Sequence, residues 1–263
     1  MIKFEYVETT LLALIAAAAS LLTFFSGFGL GTILLPVFIF FYPIDVAVTL
    51  TAIVHFLNGI FKVGLIGRHA NKQIVLNFGI PALLFAYAGA SLLVYLSAFP
   101  IHVQYKLFGI FLSTSPVKIV IGLLLLIFAL AEIFPAGHKP RAGKLWLWFG
   151  GALSGFFGGL SGHQGALRSA FLIRLGMVKE SFIATGIVIA LMIDITRLPV
   201  YLRKFDRAEI INAWPVLLAA ILAAFAGAYA GRRLLKNVTL RFVQYLVAVA
   251  VVVIGLLLAL GFV

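Results

Sequence analysis

The stretch Gly155 to Arg168, GFFGGLSGHQGALR, puts five glycines, a histidine, a glutamine and an arginine inside an otherwise apolar segment. A glycine in a helix interior costs about 1 kcal/mol relative to alanine, so the run predicts a helix that breaks and resumes near Gly165. In hydrocarbon, backbone groups freed by a break must find partners in protein or in a water-filled cavity, and a break at membrane depth therefore implies a site. Arg168 sharpens the expectation. In the first turn of the resumed helix it would meet an already positive macrodipole, a placement that calls for a nearby anion. The competing reading is that the glycines only let helices approach, with Gln164 and Arg168 bonded to each other at i, i+4.

Composition sets the class in which that break must be understood. With 63% hydrophobic and 11% charged residues in 263, the chain carries more apolar surface than a soluble domain can hide, so it reads as a polytopic membrane protein. The formal charge of +12 does not indicate a nucleic-acid partner, because the basic residues lie mostly in short connections such as Arg68 to Lys72, His138 to Lys144 and Arg232 to Lys236. That is the distribution of topology determinants. Cysteine is absent, which excludes disulfides and thiolate metal sites. Met1 to Thr10 sets Lys3 against Glu5 and Glu8 rather than forming a basic leader, so the first apolar segment is expected to be retained.

In chain order, an apolar helix over 10–25 runs into SGFGLG at Ser26 to Gly31, and Thr32 to Tyr42 is apolar again. These pieces, about 33 residues or roughly 50 Å as helix, are too long for one straight span of a 30 Å core and too short for two. A re-entrant hairpin turning at Gly27 to Gly31 fits. Pro43 then starts a helix over about 44–66, with Asp45 in its first turn as a structural carboxylate. On that helix His55, Asn58 and Lys62 fall within about 60° of one another, a polar stripe that must face the bundle interior. His55 by itself also suits an ordinary core histidine, and Lys62 is near enough to the helix end to snorkel.

Spans follow over 74–97 and 117–134, with 98–116 expected as a loop or interfacial helix. The polar connection 135–144 is the natural midpoint. The second half repeats the first: at an offset of 134, Gly31 meets Gly165, Ile39 meets Ile173, Thr51 meets Thr185, Ile53 meets Ile187 and Val54 meets Val188. Two glycine-rich breaks, each followed by a short helix and a long one, are the pattern of a transporter whose breaks face each other at the binding site. The long helix of this half, about 180–202, holds Asp194 and Arg197 at i, i+3, which reads first as a structural ion pair. Lys62, Arg168, Asp194 and Arg197 together leave an excess of two positive charges, which a bound anion would neutralise. Spans over 210–231 and 242–262 complete the chain.

If each break is re-entrant, each half crosses three times. Eleven basic residues then share one side (Arg68, Lys72, Lys139, Arg141, Lys144, Arg174, Lys179, Arg232, Arg233, Lys236, Arg241) against six on the other (Lys3, Lys106, Lys118, Arg203, Lys204, Arg207). If the broken segments cross fully, the division is nine to eight and orients nothing. The positive-inside rule therefore predicts hairpins, inverted repeats and both termini outside.

The first half's SGFGLGTILLPVFIFFYPIDVAVTLTA and the second half's GFFGGLSGHQGALRSAFLIRLGMVKESFIATG resemble the doubled glycine-rich block of the sulfite exporter TauE/SafE family of bacterial inner-membrane permeases. Gly27, Gly29, Gly31, Pro36 and Thr51 match the first copy; Gly159, Gly162, Gly165 and Thr185 match the second. The chain departs from the pattern at Ala170, where the second block often has proline, and at His163-Gln164, which interrupts the glycine run. The resemblance implies a multi-pass inner-membrane protein that moves sulfur-containing anions such as sulfite or organosulfonates, typically outward, on an ion or substrate gradient.

The expected fold is an all-α polytopic membrane protein of two inverted repeats, 1–134 and 145–263, joined by a cytoplasmic linker at 135–144. The expected substrate-binding set is Gly27, Gly29, Gly31, Thr51, His55 and Asn58 with Gly162, His163, Gln164, Gly165, Arg168 and Thr185. Lys62, Asp194 and Arg197 serve coupling or charge pairing, and Asp194 and His163 suit a proton carrier. No catalytic residue, metal or cofactor is expected: the five histidines are scattered, and neither HExxH nor CxxC occurs. The partners are a small anion and the lipid bilayer, with no nucleic acid and with homo-oligomerisation left open. An anion channel, or an uptake permease for another small oxyanion or carboxylate, is the alternative.

Overall fold

A computed structural model describes residues 2–26, 30–99, 101–107, 109–133, 143–205, 207–234 and 241–262. The helices are α1 (Ile2–Ser26), α2 (Leu30–Ile39), α3 (Ile44–Ile66), α4 (Lys72–Ser97), α5 (Pro116–Ile133), α6 (Lys144–Ser161), α7 (Gln164–Leu172), α8 (Lys179–Lys204), α9 (Arg207–Asn212), α10 (Trp214–Leu234) and α11 (Arg241–Ala259). Four helical segments, Ile44–His69, Lys72–Ser97, Lys179–Lys204 and Trp214–Arg233, are long and apolar enough to cross a membrane. The chain is an all-α polytopic membrane protein with one small β excursion.

That excursion corrects the expectation for 98–116. Val103–Leu107 (β1) and Ile110–Thr114 (β2) pair antiparallel around Gly109, whose φ of 85° suits glycine. The hairpin is held against the end of α11, where Tyr105 donates to the Leu260 carbonyl at 2.6 Å and Thr114 to the Ala259 carbonyl at 3.1 Å.

The glycine run also needs correcting. Helix α6 continues unbroken through Gly155, Gly158 and Gly159 to Ser161. Gly151, Gly155 and Gly159, spaced by four, lie on the carbonyls of Phe78, Ala82 and Ala86, also spaced by four, so α6 and α4 run parallel with their backbones in contact. A Cβ on Gly155 would fall onto the Ala82 carbonyl oxygen. In lipid, where no hydrophobic drive brings helices together, such close approach supplies the dispersion that does. The break itself is narrower than expected: Gly162, at φ 80°, ends α6, and α7 starts at Gln164.

Helix α7 folds back along α6. Gln164 lies against Gly158, Phe171 against Gly150, and Arg174 sits 5.1 Å over the Trp146 ring. Helix α8 then runs parallel to α6, with Ile193 beside Gly158 and Arg197 beside Gly162. In the first half α3 runs antiparallel to α8: Gly59 meets Leu191 and His55 meets Asp194. The partnerships cross between halves, because α1 packs on α10 through Ala17 and Gly227, and α5 on α11 through Gly122 and Gly255.

Basic side chains gather at two ends. At one, Ile66, Ile183, Ala184 and Ala228 form a common apolar cluster, and Asn71 N–H donates to Thr185 Oγ1 at 2.9 Å. Arg68, Lys72, Lys144, Arg174, Lys179, Arg232 and Arg233 surround this end. Lys106, Lys118, Arg203, Lys204 and Arg207 lie at the opposite end, with the hairpin and α9. Lys139, Arg141 and Lys236, and with them most of the expected 135–144 linker, lie outside the described residues.

Candidate functional site

The stripe on α3 turns inward. His55, Asn58 and Lys62 are all buried, on a helix whose other face is apolar. Lys62, only 6% exposed, does not snorkel; its Nζ lies 3.4 Å from both the Ser20 carbonyl and Thr23 Oγ1 of α1. The Asn58 amide meets the Ser20 hydroxyl at 3.0 to 3.2 Å. With the amide turned so that its oxygen faces the ammonium, Asn58 accepts from Lys62 at 3.2 Å and donates to the Ala224 carbonyl of α10 at 3.2 Å.

Helix α8 brings the acid. Asp194 and Arg197 are both fully buried at 0% exposure, and Arg197 Nε and Nη2 each reach Asp194 Oδ1 at 2.8 Å. His55 Nδ1 approaches the other carboxylate oxygen at 2.6 Å. Arg197 Nη1 donates to the Gly158 carbonyl at 3.2 Å, and the Tyr201 hydroxyl donates to the Gly159 carbonyl, so the triad is tied to the end of α6 just before the break.

Between these groups lies a cavity of about 50 Å³, lined by polar side chains of α1, α3 and α7 (Thr23, His55, Asn58, Lys62, Arg168, Ser169) and by apolar ones of α8. This volume suits a few waters or one small ion. Arg168, 6% exposed, is the fifth residue of α7 and so stands just beyond the first turn where the spacing predicted it. Room for its guanidinium is made by Gly186, where an added Cβ would come within 3.2 Å of Nε. Arg168 Nη1 is buried without a protein partner, as are both amide atoms of Gln164, so the i, i+4 bond of the competing reading is not made. Since buried donors are almost always satisfied, the guanidinium calls for an acceptor in the cavity.

The start of α2 meets the break after α6. A Cβ on Gly31 would lie 3.4 Å from the Gly162 carbonyl oxygen and 3.5 Å from Thr51 Cγ2. Thr51 Oγ1 and His163 Nε2 are buried without partners at the same crossing, while His163 Nδ1 bonds the Ser161 hydroxyl at 3.2 Å and its ring stacks on Phe128. Gly165 is buried in the first turn of α7. The structure thus gathers His55, Asn58, Lys62 and Arg168 at the cavity, holds Asp194 and Arg197 behind His55, and sets Gly31, Thr51, Gly162, His163 and Gln164 at the crossing. Thr185 stands apart, accepting from the N–H of Asn71 at the start of α4. Gly27 and Gly29 lie outside the described residues.

Sequence reasoning passed over Ser20, Thr23, Gly186 and Tyr201. Ser20 and Thr23 carry a faint signal, two hydroxyls at i, i+3 in an apolar helix. No group of three metal-ligating side chains occurs among the described residues.

The arrangement can hold a small anion. Two buried cations line one cavity, and the nearby carboxylate already has a guanidinium and an imidazole on its oxygens. No curated protein and no solved structure matches the chain. The family model described as sulfite exporter TauE/SafE matches residues 12–258, nearly the whole chain. An all-α membrane protein that carries this family's pattern over nearly its whole length, around a cavity lined by buried cations, belongs to the sulfite exporter TauE/SafE family of membrane transporters for sulfite or related anions.

Proposed function

We propose that this protein is a secondary transporter that exports a small sulfur-containing anion, sulfite or an organosulfonate, held between its two halves. The observation that carries the reading is the pair of buried cations, Lys62 and Arg168, lining one cavity while Asp194 is engaged by Arg197 and His55. Organic and inorganic sulfur oxyanions match such a site in size, charge and capacity to accept several hydrogen bonds.

The chain's path supports an alternating-access device. Helix α7 and the turn after it carry the backbone from the break back to Arg174, level with the start of α6, as a re-entrant hairpin would. The antiparallel run of α3 and α8 supports inverted repeats over 1–134 and 145–263, with the connection at 135–144 between them. The richer basic end supports a cytoplasmic location for the Arg68 to Lys72 connection in the bacterial inner membrane, with both termini periplasmic. Because the chain has no cysteine, single cysteines introduced at positions 70 and 262 report on this directly. A membrane-impermeant maleimide added to intact cells should label 262 and leave 70 untouched; the reverse pattern would invert the topology.

The substrate reading is tested by ligand-dependent melting of the purified protein. Sulfite, sulfate, thiosulfate, taurine, sulfoacetate and methanesulfonate are compared at matched ionic strength, so that a general salt effect moves all of them together. A true ligand at a hundred times its dissociation constant stabilises the folded state by about 2.7 kcal/mol. Sulfite or a sulfonate should lead. Stabilisation by a cation or a neutral amino acid with none from these anions would contradict the reading.

Arg168→Gln should weaken binding of the leading anion by about 1.5 to 3 kcal/mol, the range for a hydrogen bond to a charged group, while the protein still folds. Unchanged affinity would remove Arg168 from the site.

A further inference from the structure

His55 joins two features that are otherwise separate. It lines the cavity with Lys62 and Arg168, and its Nδ1 lies 2.6 Å from Asp194 Oδ2. The charge of Asp194 is already met by Arg197 on the other oxygen, so a neutral imidazole donating Nδ1–H satisfies this bond. A bond of that kind fixes the tautomer and leaves Nε2 as the nitrogen available to a ligand. On a neutral ring Nε2 is a lone pair, which repels an oxyanion; on a protonated ring it is an N–H donor, which binds one. An anion held between Lys62 and Arg168 lies in the cavity that His55 lines, where its charge favours the N–H donor form of the ring.

We propose that His55 is a proton-binding site linked to the anion: binding of an oxyanion in the cavity draws one proton from solution onto Nε2, and its release returns the proton. The inference rests on the anion reading above and names the ion that accompanies the substrate. The charged or titratable groups around the ring are Asp194 and Arg197 from α8, Arg168 from α7 and Lys62 from α3 itself, with Tyr201 and His163 farther along at the break. Helix α1 offers the hydroxyls of Ser20 and Thr23, and α2 has no titratable side chain. Tyr229, Arg232 and Arg233 of α10 and Arg207 and Glu209 of α9 are exposed away from the cavity. By linkage, acidification must raise anion affinity by the same factor that the anion raises proton affinity.

The test uses the purified full-length protein with methanesulfonate, an anion that carries no titrating proton near neutrality. Calorimetry in two buffers of different ionisation enthalpy, between about pH 6 and 8 where histidine titrates, reads the protons taken up on binding. The wild type should take up a large fraction of one proton at the alkaline end, with affinity falling toward tenfold per pH unit there. His55→Asn keeps an N–H donor for Asp194 but cannot be protonated; it should bind with almost no proton uptake and a flat pH profile. Binding by the wild type without proton uptake, or uptake that persists in His55→Asn, would each overturn the proposal; should His55→Asn fail to fold, His55→Gln, which also cannot be protonated, is read in its place. Failure of methanesulfonate and sulfate to bind at any pH would instead overturn the anion reading, and the proposal with it.

Discussion

Asp194→Asn is expected to cost about 3 to 5 kcal/mol of stability, because it leaves Arg197 buried without its counter-charge. The carboxylate receives Arg197 on one oxygen and His55 on the other, with no exposure to water. An asparagine of the same shape keeps the volume and loses the charge, so the cost is electrostatic rather than a cavity. Measured by thermal or denaturant unfolding in detergent, the loss should shrink when the partner is neutralised as well. Asp194→Asn with Arg197→Gln should be less damaging than the sum of the two single changes by more than about 1 kcal/mol, the coupling expected of groups in contact. Additive losses would mean that Asp194 and Arg197 are not energetically coupled.

The second large effect is expected at the seam between α4 and α6. Gly155→Leu should destabilise the protein by about 3 kcal/mol or more, at the upper end of what overpacking costs, because its first added carbon falls on the backbone of Ala82 rather than on a side chain that can turn away. Gly64→Leu is the matched control: Gly64 is also in a spanning helix, but an added Cβ there meets nothing within 4 Å. The control should unfold within about 0.5 kcal/mol of the parent, as surface substitutions do. Equal behaviour of the two variants would show that the seam tolerates separation and that the glycine spacing is incidental.

The comparison of these glycines explains what could be read in the chain and what could not. His55, Asn58 and Lys62 were legible because helical spacing alone puts them on one face, and an apolar solvent leaves that face a single place to go. Arg168 was singled out instead by its charge at the start of a resumed helix, and Asp194 with Arg197 by their i, i+3 spacing. The run from Gly155 to Gly159 was not, since a broken helix and a closely packed one ask for the same residue, and the partner that decides between them is α4, far away in sequence. Ser20 and Thr23 were missed because hydroxyls in membrane helices commonly bond their own backbone; Thr23 does so, donating to the Ser20 carbonyl, and still faces Lys62. Thr185, in the register of Thr51, accepts from the N–H at the start of α4, a contact that the repeat register does not foretell. The hairpin of β1 and β2 was hidden because only VQYKL alternates between apolar and polar residues, while its partner IFLST does not.

The crossed partnerships carry a consequence for biogenesis. Ala17 of α1 finds Gly227 of α10, and Phe78 to Ala86 of α4 find Gly151 to Gly159 of α6, so each half supplies the surface on which the other closes. At a ribosomal speed of about 5 to 20 residues per second, α1 waits on the order of ten to forty seconds in the bilayer before its partner is made. Throughout that interval the face of α1 that carries Ala17 is turned to lipid, to other nascent helices or to the insertion machinery, while Ser20 and Thr23 meet Asn58 and Lys62 of α3 much sooner. The seam of α1 with α10 is therefore late by topology: it joins opposite ends of the chain, and it forms only after α10 has left the ribosome.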